Sequence, residues 1–320
     1  MTLFEQLKNL PKIDMHINLT SSISTDLAFD LSSTENLVEV LDQMREKNVL
    51  EYEQALKIPI DILKNKHNIV LAIDDLIDRL IKNNVIYAEL FLDLPLYNEY
   101  IDEEKLLKIV LEEIKKKNFP LEVVLVLSSE KDRESNLHTL EIFDKYYGNG
   151  VNGIYFQKSK MANISNYMYL FDRLIKNNYP YIINLNSKIT NQEYDVYMHA
   201  KRIIYSLSTF DETLIDELKR NNILLEFSIT RLKESNLLSL EDDYLFELIK
   251  RNVNPTITSC DMTTLNTDIL NEWCQLFNNY SLTLHDMVKL ISNNIGNINV
   301  SSELKESIMQ EFRDKSNLVL

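Results

Sequence analysis

Short apolar segments alternate with segments of helical spacing along almost the whole chain, and this alternation constrains the fold more than any other feature. The apolar segments lack a strict two-residue alternation, as expected for strands that helices cover on both faces. They lie at 13–19, 85–93, 121–129, 151–157, 181–186, 202–207, 223–229 and 255–260. Eight such strand–helix units predict an α/β fold, a parallel (β/α)8 TIM barrel ringed by helices.

A common motif ends the helical segments. Asp-Arg-Leu-Ile-Lys-Asn-Asn stands at 78–84 and again at 172–178, and variants end at Asn118, Asn222 and Asn252. Lys and Arg suit the negative end of a helix, and Asn tolerates the left-handed conformation of a C-cap. The motif therefore predicts helix ends that lead directly into strands.

Two regions are longer than the strand–helix repeat of a barrel requires. The connection after the first strand, residues 20–84, is long enough for extra helices at 34–47 and 67–83. The tail after residue 261 predicts three more helices, at about 267–279, 283–295 and 302–316. No linker or low-complexity segment interrupts the pattern, so residues 1–320 are predicted to form a single domain.

Composition excludes several classes of function. The chain has 49 acidic and 34 basic residues, a net charge of −15, which argues against nucleic-acid and anionic-membrane partners. Only four glycines occur, and no stretch matches a phosphate-cradling loop or a dinucleotide fingerprint. Two cysteines, no signal-like N-terminus and no long apolar run favour a cytoplasmic protein. The sequence leaves homo- or hetero-oligomer formation open.

Several segments resemble adenosine deaminases in order and spacing. Leu-Pro-Lys-Ile-Asp-Met-His-Ile-Asn-Leu at 10–19 is similar to the family's opening, Leu-Pro-Lys-x-x-Leu-His-x-His-Leu-Asp-Gly-Ser. Val-Ile-Tyr-Ala-Glu-Leu at 85–90 resembles the family's second strand, and Glu-Ser-Asn-Leu-His-Thr-Leu-Glu at 134–141 resembles its Glu-Asn-Leu-Glu-Thr-Leu-Glu helix. The resemblance covers nearly the whole chain and implies a metal-dependent amidohydrolase-type barrel.

The resemblance also implies a reaction, the hydrolytic removal of the 6-amino group of adenosine. In that family a His-x-His after strand one, a His after strand five and an Asp after strand eight hold one zinc, which supplies hydroxide near neutral pH. A Glu after strand five protonates the ring, and a His after strand six orients the attacking water.

This chain departs from the family pattern at most of those positions. His16 retains the first ligand, but Asn18 stands at the second. The strand-five His-Ala-Gly-Glu falls on 185–188, which places Asn186 in the motif and Lys188 where the proton-donating Glu should be. The strand-six His becomes Tyr205.

Other positions in the barrel mouth, which the carboxyl ends of the strands form, also differ from the family pattern. The strand-four Ala-Gly-Asp-Glu falls on Gln157, Lys158, Ser159 and Lys160, and the strand-eight Asp-Asp falls on 260–261. Side chains replace the family's glycines at Ser21, Lys158, Ser187, Ile204 and Ser206. We therefore expect a filled, altered site, because glycine is what lets ligands approach a backbone closely.

The candidate side chains keep alternative interpretations. His16 is either a former zinc ligand or a histidine hydrogen-bonded inside the barrel mouth. Cys260 is either a small buried residue or a nucleophile or ligand, and Asp261 is either a general base or the ion-pair partner of Lys188.

The lysines of the mouth, Lys158, Lys160 and Lys188, either bind an anion such as phosphate or carboxylate or are unrelated surface residues. We expect a nucleoside-like or anionic small molecule in the mouth. The candidate ligand-binding residues are His16, Asn18, Gln157, Lys158, Asn186, Lys188, Tyr205 and Asp261.

Three functions follow from this pattern. The first is a deaminase-like pseudoenzyme without a cofactor, which binds a ligand or a regulatory partner. The second is a divergent hydrolase with a site rebuilt around His16, Cys260 and Asp261. The candidate catalytic residues are Asp261, Lys188 and Cys260. The third is a true adenosine deaminase with a rebuilt zinc site, whose remaining donors would be His16, Cys260 and Asp261.

Overall fold

Eight parallel strands form the centre of the protein and follow one another in chain order. The computed structural model describes residues 2–32, 36–45, 55–207, 211–237, 244–251, 253, 255–280, 282–317 and 319. The strands are β1 (Lys12–Asn18), β2 (Val85–Leu92), β3 (Leu121–Ser128), β4 (Val151–Gln157), β5 (Tyr181–Leu185), β6 (Arg202–Tyr205), β7 (Leu224–Phe227) and β8 (Pro255–Ile257). Each strand pairs with the next in parallel, which confirms the predicted (β/α)8 barrel.

The seam between β1 and β8 lies just beyond the short last strand. Cys260 N donates a hydrogen bond to His16 O at 2.9 Å, and Asn18 N donates to Cys260 O at 2.9 Å. Below these bonds the buried Asp14 carboxylate accepts a bond from Ser259 N at 3.1 Å. The chain therefore joins its first strand to the segment after its last strand.

Helices surround the strands and confirm the predicted extra elements. They are Leu3–Asn9, Thr25–Leu31, Leu37–Met44, Lys57–Ile62, Lys66–Lys82, Glu103–Lys117, Arg133–Tyr146, Met168–Lys176, Tyr194–His199, Glu212–Arg220, Ile229–Glu234, Tyr244–Lys250, Ile269–Asn279, Leu284–Asn297 and Ser302–Ser316. Parts of the predicted helix at 34–47 lie outside the described residues. No described helix is both long and apolar enough to cross a membrane. The single domain stays a prediction.

Asparagine occupies the turn between helix and strand at four joints. Asn84, Asn118, Asn178 and Asn222 have φ angles of 55°, 51°, 52° and 54°. Their short polar side chain makes this left-handed conformation less costly than it is for most residues. The predicted asparagine C-cap joints are confirmed at these positions, and Asn252 lies outside the described residues.

The barrel interior is only partly apolar. An apolar cluster of Phe91, Val124, Val126, Tyr155 and Ile182 fills part of it. Charged side chains from β2, β6 and β7 are also buried there, and they pair with one another below the mouth. A second, larger core lies between the strands and the helices.

Candidate functional site

The carboxyl ends of the strands form the barrel mouth, where barrel enzymes carry their chemistry. Two groups of side chains lie there. We call the first the histidine cluster: His16, Asn18, Arg231, Cys260 and Asp261. The second, described further below, is a groove that lysines line.

His16 lies near the end of β1 and is 2% exposed. Its Nδ1 atom faces Glu226 Oε1 in a short contact. Because a carboxylate only accepts hydrogen bonds, Nδ1 is the donor. The imidazole stacks on the Phe91 ring, with centroids 3.7 Å apart and an interplanar angle of 11°. The ring is thus held on one nitrogen and on one face, and Nε2 points toward the mouth residue Cys260.

Glu226, which holds His16, belongs to a buried charge network. Its Oε2 atom lies 2.8 Å from Arg202 Nε, and Arg202 also donates to Glu89 Oε2 at 2.7 Å. All three side chains are at least 95% buried. Buried charges persist when they are paired, so this network fixes the carboxylate that orients the imidazole.

Asp261 is 2% exposed and contacts a cation directly. Arg231 donates to its Oδ2 atom, Ser21 donates to Oδ1, and Asn18 Nδ2 donates to Oδ1 at 2.7 Å. Burial alone would raise the pKa of Asp261, but the Arg231 charge and these hydrogen bonds hold it well below its usual range. The carboxylate is therefore ionised, and both of its oxygens are engaged.

Arg231 is positioned by the helix Ile229–Glu234, which follows β7. Ser228 caps this helix, since its hydroxyl accepts a bond from Arg231 N at 3.3 Å. The buried Glu272 carboxylate accepts a second bond there, from Ile229 N at 2.5 Å. Local helix capping thus fixes the backbone from which the Arg231 side chain extends.

Cys260 lies between His16 and Asp261 and has a φ of 60°, which is rare for a residue with a side chain. Its Sγ atom is 3.9 Å from His16 Nε2 and donates to Asp261 Oδ2 at 3.2 Å. Burial and the neighbouring carboxylate charge raise the pKa of this thiol well above its ordinary value. Cys260 is therefore a protonated thiol.

The second group lines a groove of about 530 Å3 beside the ends of β4 and β5, which we call the lysine groove. Lys158, Lys160 and Lys188 supply its positive charge. Lys158 is 3% exposed, whereas the other two are exposed. The sequence placed these lysines together, and the structure brings them to one cavity.

The predicted ligand-binding residues divide between the two groups. His16, Asn18 and Asp261 meet in the histidine cluster, and Lys158 and Lys188 line the lysine groove. Asn186 adjoins the groove because its Nδ2 atom donates to Lys158 O at 2.7 Å.

Two predicted ligand-binding residues join neither group. The buried Tyr205 ring packs against the Phe227 ring, with centroids 5.6 Å apart, while its neighbour Ile204 packs against the interior cluster. Gln157 is exposed at the end of β4 and does not line the groove. Strand alternation explains Tyr205, since adjacent side chains point to opposite faces.

The predicted ion pair between Asp261 and Lys188 is wrong, because Arg231 pairs with Asp261. Sequence reasoning also missed Glu226, Arg202 and Glu89. Their signal was present: each is a charged residue inside a largely apolar strand, and such residues need a buried partner.

Known proteins resemble this chain over its full length. No protein-family model matches it. The adenosine deaminase of Clostridium kluyveri is 21% identical over 353 aligned positions, which span 100% of this chain and 98% of that protein. Adenosine deaminases are thus similar to this chain along its whole length.

Solved structures share the fold of this chain. An Arabidopsis ADAL protein complexed with IMP has a TM-score of 0.85 at 16% identity, covering 99% of this chain and 100% of its own. The N6-methyl-AMP deaminase of Arabidopsis thaliana, solved without ligand, has a TM-score of 0.84 at 15% identity, covering 98% and 99%.

The adenosine deaminase family implies a zinc ion, and the donors at its expected place do not fit one. Among the residues that the structure describes, no three His, Cys, Asp or Glu side chains are arranged to hold a metal ion. His16, Cys260 and Asp261 lie together, but Arg231, Ser21 and Asn18 engage both carboxylate oxygens of the aspartate. Asn18 offers an amide that donates to Asp261. Zinc needs three or four free N, S or O donors.

Proposed function

We propose that this adenosine deaminase family member binds a nucleoside-like or anionic small molecule in its barrel mouth and does not deaminate adenosine through zinc. The ion pair of Arg231 with Asp261 carries the proposal. A guanidinium supplies the positive charge that the buried carboxylate needs, so zinc would have to displace it.

The position of Lys188 supports the same proposal. The family's proton-donating Glu aligns with this residue, which lies exposed in the lysine groove. A lysine ammonium is ordinarily a far weaker acid than a carboxylic acid, but it attracts anions. The solved Arabidopsis ADAL structure is a complex with IMP, which supports a purine-like ligand for this chain.

Metal analysis combined with an activity assay tests the proposal. Protein is purified without chelator, its zinc content is measured by mass spectrometry, and adenosine and N6-methyl-AMP turnover are followed by absorbance. We expect far less than one zinc per chain, no turnover, and measurable binding of adenosine or AMP by calorimetry.

The adenosine deaminase of Clostridium kluyveri, purified in the same way, is the positive control for zinc retention and turnover. One tightly bound zinc per chain together with inosine formation would overturn the proposal. Such a result would instead establish the alternative of a true deaminase with a rebuilt metal site.

A divergent hydrolase is the second candidate, and one observation favours it. His16 lies between Glu226 and Cys260, which is the order of orienting acid, base and nucleophile. The protonated thiol weighs against it, since the thiolate is the nucleophile.

Alkylation by iodoacetamide separates this candidate from the first. Labelling faster at Cys260 than at the other free cysteine, Cys274, and dependent on His16 would support the hydrolase. Slower labelling at Cys260 that is insensitive to His16→Ala would favour ligand binding. A hydrolytic activity should also be lost in both His16→Ala and Asp261→Ala.

A cytoplasmic location belongs to the same proposal. The two free cysteines, Cys260 and Cys274, suit a reducing compartment. Fractionation of the source cells with an antibody to this chain tests the location, and recovery outside the cytoplasm would contradict it.

A further inference from the structure

The lysine groove has an unbalanced charge. Its charged lining consists of three lysines and Glu193, which leaves a net charge of two positive. Glu193 is turned toward its own loop, because its Oε2 atom accepts bonds from Thr190 N and Thr190 Oγ1, both at 3.0 Å. It forms no ion pair with the groove lysines within the part of the chain that the structure describes.

Lys158 is the buried member of this set and its backbone is held firmly. Its N–H donates to Asn184 Oδ1 at 2.6 Å, and its carbonyl accepts bonds from Asn184 and Asn186 at 2.8 and 2.7 Å. Asn184 lies in β5 and Asn186 directly follows it, so the neighbouring strand fixes the backbone position of Lys158. Preorganised charge of this kind binds a ligand at a low ordering cost.

The Lys158 ammonium retains hydrogen-bonding capacity. Its Nζ atom donates to Ser187 Oγ at 3.0 Å, and no carboxylate pairs with it among the described residues. An ammonium has three donors, so it can still donate to a ligand. A charged group that is 3% exposed and has only a neutral hydroxyl partner is costly, and a bound anion would remove that cost.

We infer that the lysine groove binds the phosphate dianion of an organic phosphate monoester. A dianion matches the net charge of the lining, which a single carboxylate does not. The volume of about 530 Å3 lies within the range of small-molecule sites, so it admits more than a phosphate ion. Met161, which is 94% exposed at the groove, offers apolar contact to the organic part.

This inference rests on the proposed ligand-binding function, so the test compares ligands with and without phosphate. Calorimetry measures the binding of AMP, adenosine and inorganic phosphate to the full chain. We expect AMP to bind at least about tenfold more tightly than adenosine, since charge-assisted hydrogen bonds are involved. Inorganic phosphate should bind weakly and compete with AMP, and added salt should weaken AMP binding.

Substitutions then assign the difference to the groove. Lys158→Met and Lys188→Met should each weaken AMP binding about tenfold, a larger loss than any change in adenosine binding. Lys82→Met, at an exposed helix end far along the chain, is the matched control and should change neither. Lys160 and Lys188 are exposed, so Lys160→Met and Lys188→Met keep the test valid if Lys158→Met does not fold.

The outcomes separate the two proposals. Equal binding of AMP and adenosine would overturn the phosphate assignment and leave the proposed function standing. AMP binding that depends on the lysines, without any adenosine binding, would support the groove and overturn a nucleoside-like ligand. Inorganic phosphate that binds as tightly as AMP would overturn the ester in favour of free phosphate.

Discussion

Replacing Arg231 by methionine isolates the ion pair that fills the place expected for zinc. The Asp261 side chain is 2% exposed and the Arg231 side chain is 24% exposed. Breaking a buried pair by removing one partner costs about 3–5 kcal/mol. Because water reaches the arginine, we expect the free energy of unfolding to fall by about 2–3 kcal/mol. Asp261 keeps Ser21 and Asn18 as donors but loses its cation.

Urea unfolding followed by circular dichroism measures this loss. The control is Arg251→Met, because Arg251 pairs with a Glu212 side chain that is 70% exposed, and such pairs contribute less than about 1 kcal/mol. The double variant Arg231→Met/Asp261→Asn should regain most of the stability, since it buries no unpaired charge. A loss at Arg231→Met no larger than the control, or no coupling in the double variant, would refute the reasoning.

Two further predictions concern the seam and the joints. Burial raises the pKa of Asp14 to about 7 from 3.8, so the folded chain binds this proton more tightly than the unfolded chain. That stabilisation is complete below the unfolded pKa and is lost as the pH rises through about 7, so Asp14→Asn should flatten the fall in unfolding free energy from about pH 4 to 7. An unchanged slope in urea titrations would contradict this. At Asn118, where φ is 51°, Asn118→Ala should lower the thermal midpoint by an amount equivalent to about 1 kcal/mol, whereas Asn118→Gly should leave it nearly unchanged. Equal midpoints for the two variants would contradict that expectation.

The barrel could be predicted from the sequence because its signals are local. Strand length, helical spacing and the asparagine joints are each determined by about ten consecutive residues, and the sequence of this chain shows all three patterns. The charge network is different. His16 and Glu226 lie 210 residues apart, and only closure of the barrel brings them together. Spacing along the chain therefore carried no information about that contact.

The partner of Asp261 is determined by the order of the strands around the barrel, which the predicted pair with Lys188 did not take into account. The segment after β8 adjoins the segments after β7 and β1, because strands follow one another in order around the barrel. Arg231 follows β7, and Ser21 follows β1, so barrel order favours both as partners of Asp261. Lys188 follows β5 and belongs with Lys158 after β4. Alignment matches each residue with one residue of a relative, whereas the pairing of Asp261 depends on its neighbours around the barrel.

The four asparagine joints have a consequence for how such a barrel can change. Each joint precedes a strand, so all of them lie at the end of the barrel opposite the mouth. All four joints use the same left-handed asparagine, and none of them contains a candidate ligand-binding residue. Loops at the mouth can therefore exchange histidine for asparagine or glutamate for lysine while the strand entries keep their geometry. The two ends of the barrel are free to evolve at different rates, one under selection for folding and the other for chemistry.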